Sequence, residues 1–227
     1  MTLKTLNSGS DGNCYILTND AGKHLILDAG IKEPEIKKGL NFEIENVAGA
    51  VISHEHLDHS KSAGKLGNFT PVWTPYKDEH KIQHTHLGDF DIKCFDVPHN
   101  GTPNKAFIIT ADNSKILYAT DYEYIPYDLS KEEINVALIE LNYQVDRISE
   151  SDHLRHVVLG HAEETTTINF LSTIKRRLRT VILCHMSKSG GLDRELAMKH
   201  LREQLPEYID IQWAKANEIY NISEIPF

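Results

Sequence analysis

The run Ser53-His54-Glu55-His56-Leu57-Asp58-His59 stands directly behind an apolar stretch, Val47-Ala48-Gly49-Ala50-Val51-Ile52. The apolar stretch reads as a buried strand, so four metal-competent side chains are delivered within six residues of a strand end. Imidazole and carboxylate suit borderline divalent cations. Donors at i, i+2, i+4 and i+5 are too many for one open tetrahedral site. The spacing suits two neighbouring metals instead, with His54 and His56 on one and Asp58 and His59 on the other. Such pairs sit about 3.5–4 Å apart and activate a water between them. A histidine-rich surface loop is the plain alternative, since the chain has 13 His in 227 residues. An Asp in register at a strand end makes the metal reading the stronger one.

Further ligands are available at other strand ends. His99 follows Phe95-Asp96-Val97-Pro98, Asp121 follows Ile116-Leu117-Tyr118-Ala119-Thr120, and His185 follows Val181-Ile182-Leu183-Cys184. Alone, each is more often a turn former or a hydrogen-bonded surface residue. As a set with the first run, they read as donors carried by a rigid scaffold.

Apolar runs at Leu3-Thr5, Cys14-Thr18, Leu25-Asp28, Pro71-Pro75, Phe90-Val97, Ala106-Thr110, Lys115-Ala119, Asn135-Leu141, Thr180-Leu183, Ile209-Trp213 and Ile219-Ile222 predict strands. Ser8 to Asn13 is a tight turn. Helices are expected over 33–40, 60–66, 77–86, 163–177 and 192–204. Strands come in runs with helices interspersed. That order fits an α/β architecture of two mixed β-sheets packed face to face with helices outside, rather than an alternating parallel fold. No repeat or linker divides the chain, so residues 1–227 read as one domain.

A hydrophobic fraction of 40% and a net charge of −9 describe an ordinary globular chain that does not coat nucleic acid nonspecifically. A nucleic-acid substrate stays open, because bound metals would supply local positive charge. No apolar run reaches membrane-spanning length, and Met1 to Leu6 lacks a signal-peptide pattern. Cys14, Cys94 and Cys184 are dispersed and odd in number. A reducing cytoplasm is the expected compartment. No feature speaks to oligomeric state.

The ordered set His-x-His-x-Asp-His, His, Asp, His resembles the ligand signature of the metallo-β-lactamase-fold hydrolases. That resemblance implies the αββα sandwich of the superfamily. It further implies one metal on His54, His56 and His99, another on Asp58, His59 and His185, and Asp121 bridging them. Asp28, in Leu25-Ile26-Leu27-Asp28-Ala29-Gly30, matches an early Asp that orients the ligand loop. Two divalent ions are implied, zinc first and manganese second. Leu6-Asn7-Ser8-Gly9-Ser10-Asp11-Gly12-Asn13, Ile139-Glu140-Leu141-Asn142, Leu159-Gly160-His161 and Cys184-His185-Met186-Ser187-Lys188 are similar to the YycJ-like (WalJ-like) branch. That branch resembles the tRNase Z and RNase J nucleases and is associated with exonuclease action on DNA. The chain departs from the branch at Asn142-Tyr143-Gln144 and His99-Asn100-Gly101, which bears on substrate more than on metal.

The expected chemistry is metal-assisted hydrolysis of a phosphodiester in nucleic acid, with hydroxide formed between the metals. Asp58 is a candidate proton acceptor as well as a ligand. His161 is a candidate general acid or phosphate contact, or else a polar residue at a helix start. His153 and His156 read as solvated. Lys175-Arg176-Arg177-Leu178-Arg179 is either a phosphate track or a solvated helix end. Gly190-Gly191 is either a site-edge loop or a helix-entry turn. The alternatives to a nuclease are a thioesterase, lactonase or cyclic-nucleotide phosphodiesterase with the same metals, or a non-enzymatic metal-stabilised binding module.

Overall fold

A computed structural model describes residues 1–148, 158–186 and 191–223. Strands β1 (Thr2–Asn7), β2 (Cys14–Thr18), β3 (His24–Leu27), β4 (Val47–Val51), β5 (Val72–Trp73) and β13 (Ile219–Asn221) form one sheet in the order β13-β1-β2-β3-β4-β5. The second sheet contains β6 (Ile82–Leu87), β7 (Phe90–Asp96), β8 (Lys105–Ala111), β9 (Ser114–Ala119), β10 (Val136–Glu140), β11 (Thr180–Cys184) and β12 (Asp210–Trp213). Its order is β12-β11-β10-β9-β8-β7-β6. Both sheets are mixed: β3-β4-β5 and β9-β10-β11-β12 run parallel, and the other neighbours antiparallel.

The central strands are apolar on both faces because both faces are covered. Leu25, Leu27, Ile116, Tyr118, Leu138 and Ile182 meet in the core between the sheets. Their strand neighbours point the other way, since side chains alternate along a strand. Ile26, Ala50 and Ile52 pack outward on Ile36 of helix α1 (Glu33–Gly39). Two short helices, α2 (Leu57–Ser60) and α3 (Ala63–Leu66), lie between β4 and β5, and Leu66 joins the same outer cluster. On the far side, Leu117, Ala119, Ile139 and Leu183 pack on Ile168 and Leu171 of α4 (Glu164–Ile174) and on Ala197 and Leu201 of α5 (Arg194–Gln204). The layers are therefore helix, sheet, sheet, helix, as expected.

One expected element is wrong. Residues 77–86 do not form a helix: Ile82–Leu87 is an edge strand paired antiparallel with β7. Leu87 faces Phe90 across Gly88-Asp89, and Gly88 has φ 56°. A glycine at positive φ followed by Asp is a two-residue hairpin signal, and the turn wins over local helix propensity. The helix expected at 60–66 is instead split, and it starts earlier, so Asp58 and His59 lie inside α2.

Strands β3, β4, β7, β9, β10 and β11 end on the side where the candidate donors follow in sequence. Open α/β sheets present ligand sites beyond carboxyl strand ends.

Candidate metal centre

The ligand loop after β4 is held by a buried carboxylate. Asp28 follows β3 at φ 57°, a left-handed conformation that reverses the chain at the strand end. Its Oδ1 accepts from the Ser53 amide at 2.7 Å. Its Oδ2 accepts from Ser53 Oγ at 2.8 Å, Tyr118 Oη at 2.5 Å and His59 Nδ1 at 2.6 Å. With His59 Nδ1–H donated to Asp28, Nε2 is turned toward Asp58 Oδ2 at 3.4 Å and Asp121 Oδ1 at 3.3 Å. The backbone packs closely here as well. A Cβ on Gly30 would fall 1.6 Å from the Asp58 carbonyl oxygen. The Asn13 amide donates to that same oxygen at 2.6 Å.

Asp121 and His185 repeat the device. They follow β9 and β11 at φ 53° and 48°. Asn104 Nδ2 donates to the carbonyls of Thr120 at 2.9 Å and Asp121 at 2.6 Å, which secures that reversal. Ser8, in the first turn of the chain, accepts from the His185 amide at 2.9 Å. His99 Nδ1 lies 2.5 Å from the Gly160 carbonyl, which orients Nε2 toward His56 Nδ1 at 3.2 Å.

All seven expected donors converge. Ligand atoms of His54, His56, His99 and Asp121 lie within 4.8 Å of one another, as do those of Asp58, His59, Asp121 and His185. Asp121 belongs to both groups. Nε2 of His54 and Nε2 of His185 are buried with no hydrogen-bond partner among the described residues. A buried polar atom without a partner costs about 1–3 kcal/mol. Two such nitrogens aimed into a cluster of carboxylates fit divalent cations, and the all-N/O donor set contains no thiolate. The cysteines take no part: burial pushes the thiols of Cys14 and Cys184 far up and that of Cys94 to about 12.

The charges are strongly linked. Burial, then the neighbouring His59, holds His54 well below the ordinary imidazole range, and burial lowers His99. Burial opposes the charged form of His59, but Asp121 and Asp28 outweigh it and raise the ring well above its usual value. At His185 burial is likewise overcome, by Asp121 first and then by the nearby carboxylates of Asp58 and Glu140. Burial would raise Asp58, but the neighbouring rings of His185 and His59 bring it down.

A third group adjoins the first two: Asp121, Glu140, His161 and His185. Glu140, at the end of β10, is fully buried. Its Oε1 accepts from His161 Nδ1 at 2.8 Å, His185 Nδ1 at 3.0 Å and Asn142 Nδ2 at 2.9 Å. Burial works against a charged His161, but Glu140 outweighs it and raises the ring. The His161 ring is 5.7 Å from that of His99 and 5.3 Å from that of His185. Glu140 and Asn104 are site residues that the sequence pattern alone does not single out. The signal that could have found them is a polar residue at an end of an otherwise apolar strand.

Other expectations fall elsewhere. Arg176 and Arg177 pair with Glu133 at 3.1 and 3.8 Å, at the amino ends of β10 and β11, opposite the histidines. The cluster is a solvated helix end. Of the tyrosines that follow strand ends beside the donors, Tyr122 and Tyr143 are buried, whereas Tyr124 is 49% exposed. His153, His156 and 187–190 lie outside the described residues. Among the described residues, no helix is long and apolar enough to cross a membrane.

Residues 8–93 match the family profile of the metallo-beta-lactamase superfamily. The chain is 25% identical over 235 residues to exodeoxyribonuclease YycJ of Bacillus anthracis, covering 89% of this chain and 88% of that protein. In fold it is similar to the metallo-beta-lactamase fold protein YhfI from Bacillus subtilis, with TM-score 0.72, 15% identity and coverage of 96% and 98% of the two chains. It is also similar to the short form of human tRNase Z, with TM-score 0.65, 13% identity and coverage of 99% and 100%. With the double-sheet fold and the clustered His and Asp donors, these likenesses mark the chain as a metal-dependent hydrolase, similar over residues 8–93 to the metallo-beta-lactamase superfamily.

Proposed function

We propose that this single-domain chain is a dinuclear phosphodiesterase that cleaves nucleic acid, with exonuclease-like action on DNA. The observation that carries the dinuclear reading is the sharing of Asp121 between two donor groups, each completed by an imidazole nitrogen that has no hydrogen-bond partner among the described residues. On this reading His54, His56 and His99 hold one cation, Asp58, His59 and His185 hold the other, and Asp121 serves both. Zinc is the first choice and manganese the second, because a mixed His/Asp shell accommodates either. Bound divalent cations acidify water and offset charge on a phosphodiester.

The chain's own residues supply the rest. Asp58 is the donor nearest solvent in its group, with a side chain 27% exposed, and takes up the proton released by attacking water. His161 stands at the rim with Nδ1–H fixed on Glu140, so its ring is oriented to protonate a leaving oxygen. Asp28 and Glu140 hold the rings of His59 and His185 in one tautomer. The likeness to a protein named exodeoxyribonuclease over most of both chains supports nucleic acid as substrate.

The test is elemental analysis beside a cleavage panel of bis-p-nitrophenyl phosphate, end-labelled single- and double-stranded DNA, RNA and a thioester. About two metals per chain with DNA cleavage is the expected result. Thioester turnover alone would replace the nuclease reading with a small-molecule hydrolase. One metal or none, with no turnover, would leave a metal-stabilised binding module.

A further inference from the structure

A large open cavity of about 960 Å³ begins at His99 and runs away from the metal cluster. It is near the upper end of the roughly 300–1,000 Å³ that ligand pockets span, more than a small phosphodiester needs. Pro98, Pro103 and Tyr127 line it, and the Tyr127 ring packs on Phe95 with ring centroids 5.0 Å apart. Another wall is the segment between β5 and β6. There Lys77 Nζ lies over the Tyr76 ring, 5.8 Å from its centroid, and Lys81 is exposed.

One buried charge builds that wall. Lys105 is 2% exposed, yet its Nζ donates to Asp96 Oδ1 at 2.5 Å and to the His80 carbonyl at 2.6 Å. The Lys105 amide donates to the Ser53 carbonyl at 3.1 Å, so the same residue ties the wall to the start of the ligand loop. Two of the three acidic groups that line the cavity are held by neighbours. Asp96 is paired with Lys105, and Asp78 accepts from the backbone of His80 while its carboxylate contacts the His80 ring. That leaves the exposed Lys77 and Lys81 beside Glu79 and the His80-bound Asp78.

We propose that this cavity binds the nucleic-acid chain on one side of the scissile phosphate, with bases against Tyr76 and Tyr127 and phosphates against Lys77 and Lys81. The inference rests on the phosphodiesterase reading for its substrate class. The combination of π faces and long-stemmed cations beside a reacting centre is what single-stranded nucleic acid requires. Lys105 is a positioning residue here, because its ammonium is spent on Asp96 and His80.

The test is the double variant Lys77→Glu/Lys81→Glu, both at exposed positions that leave the metal donors untouched. Binding of a fluorescent phosphorothioate oligonucleotide to the metal-loaded protein is followed by anisotropy across a salt series, beside turnover of bis-p-nitrophenyl phosphate. The expected result is about a tenfold weaker Kd and a salt slope smaller by about 1.4, roughly 0.7 for each phosphate no longer neutralised, with small-substrate turnover unchanged. An unchanged Kd and slope, no binding by the parent protein, or an equal fall in turnover of the small substrate would each overturn the proposal. Binding that weakens as expected in a protein that cleaves no nucleic acid would keep the cavity assignment and remove the nuclease reading.

Discussion

Two buried carboxylates organise the centre, and they do so differently. Asp28 sits between the sheets and accepts four hydrogen bonds, from Ser53 twice, Tyr118 and His59. Each of these donors is itself fully or almost fully buried. Glu140 is as deeply buried but serves two histidines, His185 in the donor cluster and His161 at the rim. Asp28 therefore locks a loop in place. Glu140 links a histidine of the donor cluster to one at its rim. The comparison separates holding a site together from coupling its parts.

Breaking the lock should have the largest effect. Asp28→Ala leaves His59 and Ser53 without their acceptor in a sealed interior. Removing one partner of a buried charged pair costs about 3–5 kcal/mol. Thermal unfolding temperature and metal content should both fall, and a variant that keeps full metal content would show that the loop holds without its carboxylate. Asp58→Ala should abolish hydrolysis while leaving the fold intact, read as turnover on bis-p-nitrophenyl phosphate beside circular dichroism. Full activity in metal-replete buffer would remove Asp58 from the mechanism.

Breaking the link should be milder and more selective. His161→Ala should lower phosphodiester turnover by about 10²–10⁴-fold, the range of general acid–base catalysis, with metal content unchanged. Loss of a metal instead would move His161 into the ligand set. Glu140→Gln keeps the shape but not the charge, and should lower turnover while weakening metal binding, since the groups that hydrogen-bond to metal-ligating histidines typically contribute about 10–100-fold. A Glu140→Gln protein matching the parent in both would make Glu140 a packing residue. The smallest effect belongs to the helix end opposite the histidines. Arg176→Ala/Arg177→Ala should change stability by no more than about 0.5 kcal/mol and leave oligonucleotide binding unchanged. A drop in binding would restore these arginines as a phosphate track.

Chain order already points to the seven donors, because an apolar strand that stops at a His or Asp is a local pattern. The layer order is legible for the same reason: strands apolar on both faces need cover on both. The hairpin at Leu87-Gly88-Asp89-Phe90 carries a legible turn signal, yet 77–86 reads as a helix. Polar edge residues such as Gln83, His84 and His86 alternate on a half-exposed strand without an apolar stripe to mark the period.

Composition and spacing by themselves determined which side chains were available for metal, and that a rigid strand end would carry each one. Only the assembled fold decided that Asp121 faces both donor groups, that Glu140 serves two histidines, and that the basic cluster lies at the far end of the sheet. Those facts depend on strand register and on left-handed reversals at Asp28, Asp121 and His185. Pairing between segments up to 177 residues apart, such as Ser8 with His185, aims the donors. Local sequence patterns do not encode that pairing, because it arises from packing the two sheets on one core.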